Sequence, residues 1–169
     1  QSGVPHQLTL SGTLMIPSEE EIAIELGVEA LRQARLRGWL TQRLRDADGL
    51  IHLERHASEA DLIVLMHGPL SGATSGQARV TSGTEELDYN RSHAAVVWHS
   101  PNTFVHEVGH LFGAEHDEHR LDAVNVNPTH SYGQGYVDLD SGFRTIMSYK
   151  LACDDAGISC TRLSLFSNP

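Results

Sequence analysis

Positive charge is scarce in this chain. Twelve Lys and Arg stand against 22 Asp and Glu in 169 residues, a formal net charge of -10 with His neutral. Nucleic acid is held by clustered Lys and Arg, so this balance argues against such a partner. A generic acidic surface that keeps the domain dissolved is a plainer reading than a device for attracting basic substrates. Long apolar runs are also lacking, and nothing approaches the roughly 20 residues of a membrane-spanning helix. With no low-complexity tract, internal repeat or inter-domain linker, a single domain over 1–169 is expected, large enough to bury a core. The chain opens at Gln1 rather than Met, with no apolar signal segment before Leu8. That points to processing, or to a piece cut from a longer precursor.

Cysteine is almost absent. Cys153 and Cys160 enclose a stretch of acidic and small residues that reads as a turn. The pair is either closed by a disulfide or left as two reduced surface thiols. A bridge would contribute about 2.5 kcal/mol by loop-closure entropy and would place the protein in an oxidising compartment.

What is present orders itself along the chain. Leu8 to Ile16 alternates in part and predicts a strand. Ser18 as N-cap, with Glu21 three residues on, starts a long helix carried by Ile24, Val28, Leu31, Leu36, Leu40 and Leu44 to about Ala47. Leu50 to Leu53 and Asp61 to Met66 are short apolar runs read as strands, the second as a buried central one. An edge strand is expected near Ala78 to Thr81 and a buried strand over Ala94 to Trp98. Ser100-Pro101 then starts a second helix. Strand, helix, several strands and helix in that order predict an α/β fold with a twisted, mostly parallel sheet. After Gly113 turn residues dominate. The join between an ordered upper part, about 1–114, and an irregular lower part, about 115–169, is where a cleft is expected.

The second helix carries the chemistry. From His106 the sequence runs His-Glu-Val-Gly-His-Leu-Phe-Gly-Ala-Glu-His-Asp. His106 and His110, four apart, share one helix face and can reach one ion. Phe104, Val108, Leu111 and Phe112 fall on another face that can pack on the sheet. Gly113 can adopt positive φ and stop the helix, which lets His116 approach the same ion from below. Three neutral imidazoles leave zinc a fourth position for water, as in catalytic rather than structural sites. Zinc makes such a water acidic, and Glu107, beside the first ligand, can take its proton as it attacks a carbonyl. Histidine is common here, at 11 residues, but three His, a Glu and a Gly at these fixed spacings form a specific signal.

The stretch from His106 to His116 resembles the zinc signature of the metzincin metallopeptidases. Thr145-Ile146-Met147-Ser148-Tyr149 is similar to their Met-turn, and the likeness implies that Met147 forms an apolar floor beneath the zinc ligands. Asp117 directly after His116 resembles the adamalysin or reprolysin branch. So do Ser131-Tyr132-Gly133, Phe143 to Tyr149 and Phe166-Ser167-Asn168-Pro169, which look like bacterial reprolysin-like peptidases. That likeness implies a metzincin-type catalytic domain, with two long helices above the cleft and an irregular lower subdomain. It also implies a Cys153–Cys160 disulfide in the loop that builds a wall of the specificity pocket. Thr145 departs from adamalysins, which usually carry Cys there and more cysteines overall. Tyr149 instead resembles the astacin and serralysin branches, where such a Tyr ligates zinc at rest and then hydrogen-bonds the tetrahedral intermediate; the alternative is a Tyr packed in the pocket wall.

The expectation is therefore a secreted or extracytoplasmic, monomeric zinc endopeptidase with Glu107 as general base and one catalytic Zn2+. A protein or peptide substrate would pair along the edge strand as a further strand. Asp117 is expected to hydrogen-bond backbone near the Met-turn rather than ligate metal. His99, His119 and His130 read as surface or rim residues. Glu54, Asp61 and the Asp138/Asp140 pair suggest calcium only weakly; a solvated face is the plainer reading. Asn90-Arg91-Ser92 fits a glycosylation sequon, a weak three-residue match. Two rival functions remain: a narrow-specificity peptidase reading a modified, for example glycosylated, protein, and a zinc-containing binding module without turnover.

Overall fold

The computed structural model describes residues 8–13, 50–67, 75–78, 93–97, 101–120 and 132–167. The long helix expected over 18–47 lies outside these residues, as do the sequon at 90–92, His99 and His130. Leu8 to Thr13, expected to begin a strand, is neither strand nor helix, and Leu10 is 79% exposed. Its partial alternation therefore marks no buried face over these six residues.

Helix α1, Leu50–Ala57, occupies the first of the two short apolar runs and corrects the strand expected there. A run this short cannot be told from a buried helical segment by hydrophobicity alone. The burial follows a helical period instead: Ile51 and Arg55 are half-buried, His52 is fully buried, and Leu53 is exposed. The helix ends in a Schellman turn, with Ala60 N–H donating to Arg55 O at 2.9 Å and Glu59 N–H to His56 O at 3.2 Å. Glu59 occupies the left-handed position that favours glycine, at φ 52°.

Strands β1, Ile63–His67, β2, Gly76–Ala78, and β3, His93–Val97, form one sheet in the order β1-β3-β2. β1 and β3 are parallel, with Leu65 opposite Ala95, while β2 runs antiparallel on the other side of β3. The central buried strand is thus β3, where Ala94, Ala95 and Val96 are buried. β1 was expected in that place, but it is half-buried over Ile63 to Leu65 and exposed at Met66, because it has a partner on one side only among the described strands. β2 is an edge strand among them, as expected, shifted toward the N-terminus to meet the predicted range at Ala78.

Helix α2, Pro101–Leu111, lies across β3 and β2. Its Pro sits at the first helical position, where the missing N–H is of no consequence. Val108 and Leu111 are buried, but Phe112 is 59% exposed. Phe112 falls one residue past the helix, in the turn, and so leaves the face it was expected to share.

The remainder is built on a second small sheet, β4-β5-β6, formed by Val137–Asp138, Phe143–Arg144 and Thr161–Arg162. β4 and β5 are antiparallel; β5 and β6 are parallel. Asp138 Oδ1 accepts from Ser141 N–H at 2.9 Å, so this carboxylate closes the hairpin turn. Helix α3, Leu151–Asp155, leads into the loop bridged by Cys153 and Cys160, whose Cα atoms are 6.0 Å apart, ordinary disulfide spacing. The fold is mixed α/β with small sheets and few helices among the described residues.

Candidate metal centre

Helix α2 supplies His106, Glu107 and His110, all buried. Its end is fixed by a second Schellman turn: Ala114 N–H donates to Gly109 O at 2.9 Å and Gly113 N–H to His110 O at 3.0 Å. Gly113 takes φ 83° there, a conformation in which a Cβ would be strained. The reversed chain is then held by residues 133–135, with Glu115 N–H donating to Gly133 O at 2.7 Å and Gly135 N–H to Glu115 O at 2.9 Å. This places His116 below the helix.

The three imidazoles converge. His116 Nε2 lies 3.0 Å from Nε2 of His106 and 3.0 Å from Nε2 of His110. The far side of two of these rings is already committed. His106 Nδ1 is 3.0 Å from Ile146 O, and His110 Nδ1 is 2.8 Å from Ala114 O. A carbonyl can only accept, so each Nδ1 carries the proton and each Nε2 presents a lone pair inward. Lone pairs aimed at one point repel unless a cation lies between them. Three nitrogens about 2.0–2.1 Å from one tetrahedral ion would stand about 3.3 Å apart, close to the observed edges. Burial works in the same direction, since it disfavours the charged imidazolium: it lowers the His106 pKa and pushes that of His110 down to about 4. This is the one group of three or more His, Cys, Asp or Glu side chains among the described residues that could hold a metal ion, and neutral His nitrogens suit zinc.

Residues 145–148 lie beside this arrangement and are buried throughout. Thr145 Oγ1 accepts from Tyr136 N–H at 2.8 Å, and Ser148 Oγ donates to Tyr136 O at 2.9 Å. Met147 is 1% exposed. It lies so close to the helix that a Cβ added to Gly109 would meet its Sδ at 2.8 Å and the Phe166 ring at 2.6 Å. Asp117 Oδ2 accepts from Tyr149 N–H at 2.7 Å, a tie to backbone beside those residues. The Tyr149 ring stands 4.5 Å from His116 and 6.3 Å from His106, centroid to centroid. His119 is exposed.

Three features had no sequence motif. Gly76 on β2 passes so near Glu107 that an added Cβ would meet Oε1 at 2.4 Å, so the edge strand closes over the carboxylate. Arg162 on β6 donates to Ile146 O from Nε at 3.1 Å and from Nη2 at 2.5 Å; Nη2 also lies 3.1 Å from His106 Nδ1. Arg144 on β5 donates from Nη1 to Ser148 O at 2.6 Å. The available signal for both Arg residues was their rarity: from Val137 to Phe166 only Arg144, Lys150 and Arg162 are basic.

A family model described as metallo-peptidase family M12 matches residues 6–167. Peptidyl-Asp metalloendopeptidase of Stenotrophomonas maltophilia strain K279a is 33% identical over 125 residues, covering 70% of this chain and 27% of the relative. The protein of the same name from strain R551-3 is 33% identical over 141 residues, 77% of this chain and 30% of the relative. That of Xanthomonas campestris pv. campestris is 35% identical over 127 residues, 70% of this chain and 26% of the relative. The chain thus spans less than a third of the length of these curated relatives. No solved structure matches it.

Proposed function

The chain belongs to metallo-peptidase family M12, and from that premise we propose that it is the catalytic domain of a zinc-dependent endopeptidase with Glu107 as general base. The observation that carries this reading is the convergence of three Nε2 atoms, those of His106 and His110 presenting lone pairs, beside a buried carboxylate. Zinc, when held by His106, His110 and His116, supplies the Lewis acid that polarises the scissile carbonyl and acidifies the attacking water. Glu107 takes the proton from that water and passes it to the departing amine. Its place under β2, with Gly76 against its carboxylate, keeps it close to a peptide laid along that edge. The substrate extends along β2 as a further strand and is registered by backbone hydrogen bonds.

The other roles follow from position. Met147 is the apolar floor under the ligands, and Gly113 permits the turn that returns His116. Asp117 fixes the backbone of Tyr149, and the Tyr149 hydroxyl donates to the negative charge that develops on the tetrahedral intermediate. The arrangement as a whole fits the metzincin plan, with the upper part about 1–114 over the cleft and the lower part about 115–169 beneath it, in one monomeric domain. The disulfide fits a secreted or extracytoplasmic protein, and no helix among the described residues is long and apolar enough to cross a membrane. Because the relatives bear the name peptidyl-Asp metalloendopeptidase, we extend the proposal to peptide bonds at aspartyl residues.

Glu107→Ala is the direct test. Metal analysis of the variant should find one zinc per chain, while cleavage of a mixed peptide library falls by about 10²-fold or more. Full activity in the variant would remove Glu107 from the mechanism. Zinc binding by the unaltered chain without cleavage of any peptide would return the binding-module reading.

A further inference from the structure

The parallel pairing of β5 with β6 sets Arg144 and Arg162 directly in register. Like charges placed opposite each other on neighbouring strands are unfavourable. Each guanidinium is partly buried, and each is disfavoured as a cation by that burial; Arg162 is disfavoured further by Arg144, while Asp117 and Asp154 attract Arg144, and Tyr149 and Glu107 attract Arg162, from beyond contact distance. Neither has a carboxylate within ion-pair distance among the described residues, where the ion pair seen is Lys150–Asp154. Among the described residues these two half-buried cations have no close ion-pair partner, a costly feature in a chain of net charge -10, which has carboxylates in surplus. Such a pair makes sense where the missing anion comes from outside the chain.

Its position says where that anion would be. Arg162 Nη2 is 3.1 Å from His106 Nδ1, on the opposite edge of the ring from the Nε2 that faces the other two histidines. The guanidinium is therefore one imidazole ring away from the point of convergence. Its Nε and Nη2 are spent on Ile146 O, which fixes the plane of the group. Nη1 has no acceptor among the described residues and keeps its donors for a ligand. Glu107 is among the charges that act on Arg162, so the guanidinium lies in the electrostatic neighbourhood of the same site.

We infer that Arg162 is the specificity-determining residue that reads an acidic side chain next to the scissile bond, with Arg144 reinforcing the positive field behind it. The inference rests on the peptidase reading above and names the chemistry of its substrate subsite. Nη1, the remaining end of a guanidinium fixed in orientation, can make a charge-assisted hydrogen bond to a carboxylate that the uncharged amide of the same shape cannot match. The overall negative charge of the domain adds to the selectivity of the site: an acidic peptide is held only where these two cations outweigh the surrounding carboxylates.

The experiment uses matched peptides that differ only in Asp or Asn beside the cleaved bond, assayed on the zinc-loaded chain and on Arg162→Met and Arg162→Lys. The unaltered chain should prefer Asp over Asn by about 10- to 100-fold in kcat/KM. Arg162→Met should bring that ratio to near 1 with zinc content maintained, while Arg162→Lys retains part of the preference through its charge. Binding of the same two peptides to Glu107→Ala, with and without Arg162→Met, should show the same change in ratio without any turnover. An Asp preference that survives Arg162→Met overturns the inference. So does an equal loss for both peptides with a fall in bound zinc, which would make Arg162 a brace for Ile146 and His106 only. If the unaltered chain cuts neither peptide yet binds zinc, the peptidase reading fails first and takes the inference with it; if it cuts both alike, the peptidase reading stands and the inference alone fails.

Discussion

Helix α2 meets the sheet and the segment 132–167 by different physics. On the sheet side it lies over β3, whose Ala94 and Ala95 are buried and small, and contributes Val108 and Leu111 to an apolar layer. On the other side the contacts are polar and made one at a time. His106 and Arg162 share Ile146 O, Arg144 holds Ser148 O, and Asp117 holds Tyr149 N. A packed apolar face loses about 0.5–1.5 kcal/mol when one methyl is removed and otherwise relaxes. A buried polar contact that loses its partner costs about 1–3 kcal/mol and leaves a group that cannot relax into anything better. The sheet side sets where the helix lies; the polar side sets which way His106 faces. The orientation of His106 at the metal centre therefore depends on a segment with only short elements among the described residues.

The largest expected effect comes from the ion. Zinc held at about 1,000 times its dissociation constant contributes about 4 kcal/mol, and its ligands tie α2 to the segment that follows it. Chelation should abolish cleavage and lower the melting temperature. Hydrogen exchange should rise across 132–167 while β1 and β3 keep most of their protection. Equal loss of protection in the sheet would mean that the two sides are one cooperative unit, and the contrast would be lost. A smaller effect sharpens the same contrast. Cys153→Ser with Cys160→Ser should cost about 2.5 kcal/mol in denaturant unfolding, with faster exchange concentrated around α3 and β6.

The smallest effect tests the helix ends. α1 and α2 finish in the same Schellman turn, yet α1 uses Glu59 where α2 uses Gly113. Glu59→Gly relieves a left-handed penalty of about 1–2 kcal/mol against an entropic cost of about 0.5–1 kcal/mol. A net gain of about 0.5–1 kcal/mol is expected from urea midpoints, with zinc content and cleavage rate unchanged. A change in either would connect α1 to the site.

The same division explains what could be read from sequence. β3, α2 and the second apolar run announced themselves through run length, Pro101 and the spacing of His106, His110 and Gly113, because regular elements repeat their pattern within a few residues. Leu50 to Leu53 was misassigned because four apolar-rich residues hold no period. β3 is buried as expected, but the central place went to it rather than to β1, since neighbours in a sheet are not written in either strand. Arg162 and Gly76 left no trace of their roles. Arg162 reaches His106 across 56 positions through a carbonyl, and a carbonyl has the same identity in every residue. Gly76 acts by having no side chain where Glu107 needs room.

The Phe166 ring against Gly109 and the Arg162 guanidinium at Ile146 O have a consequence for biosynthesis. During translation α2 emerges with its two histidines and Glu107 long before either late residue leaves the ribosome. Domains assemble as units while the chain is still growing, and contacts of such high sequence separation close slowly. Until residues 162–166 arrive, His106 lacks one of its two neighbours at Ile146 and α2 lacks the ring that covers Gly109. A nascent chain therefore carries His106 and His110 before the residues that hold Ile146 O and cover Gly109 are in place.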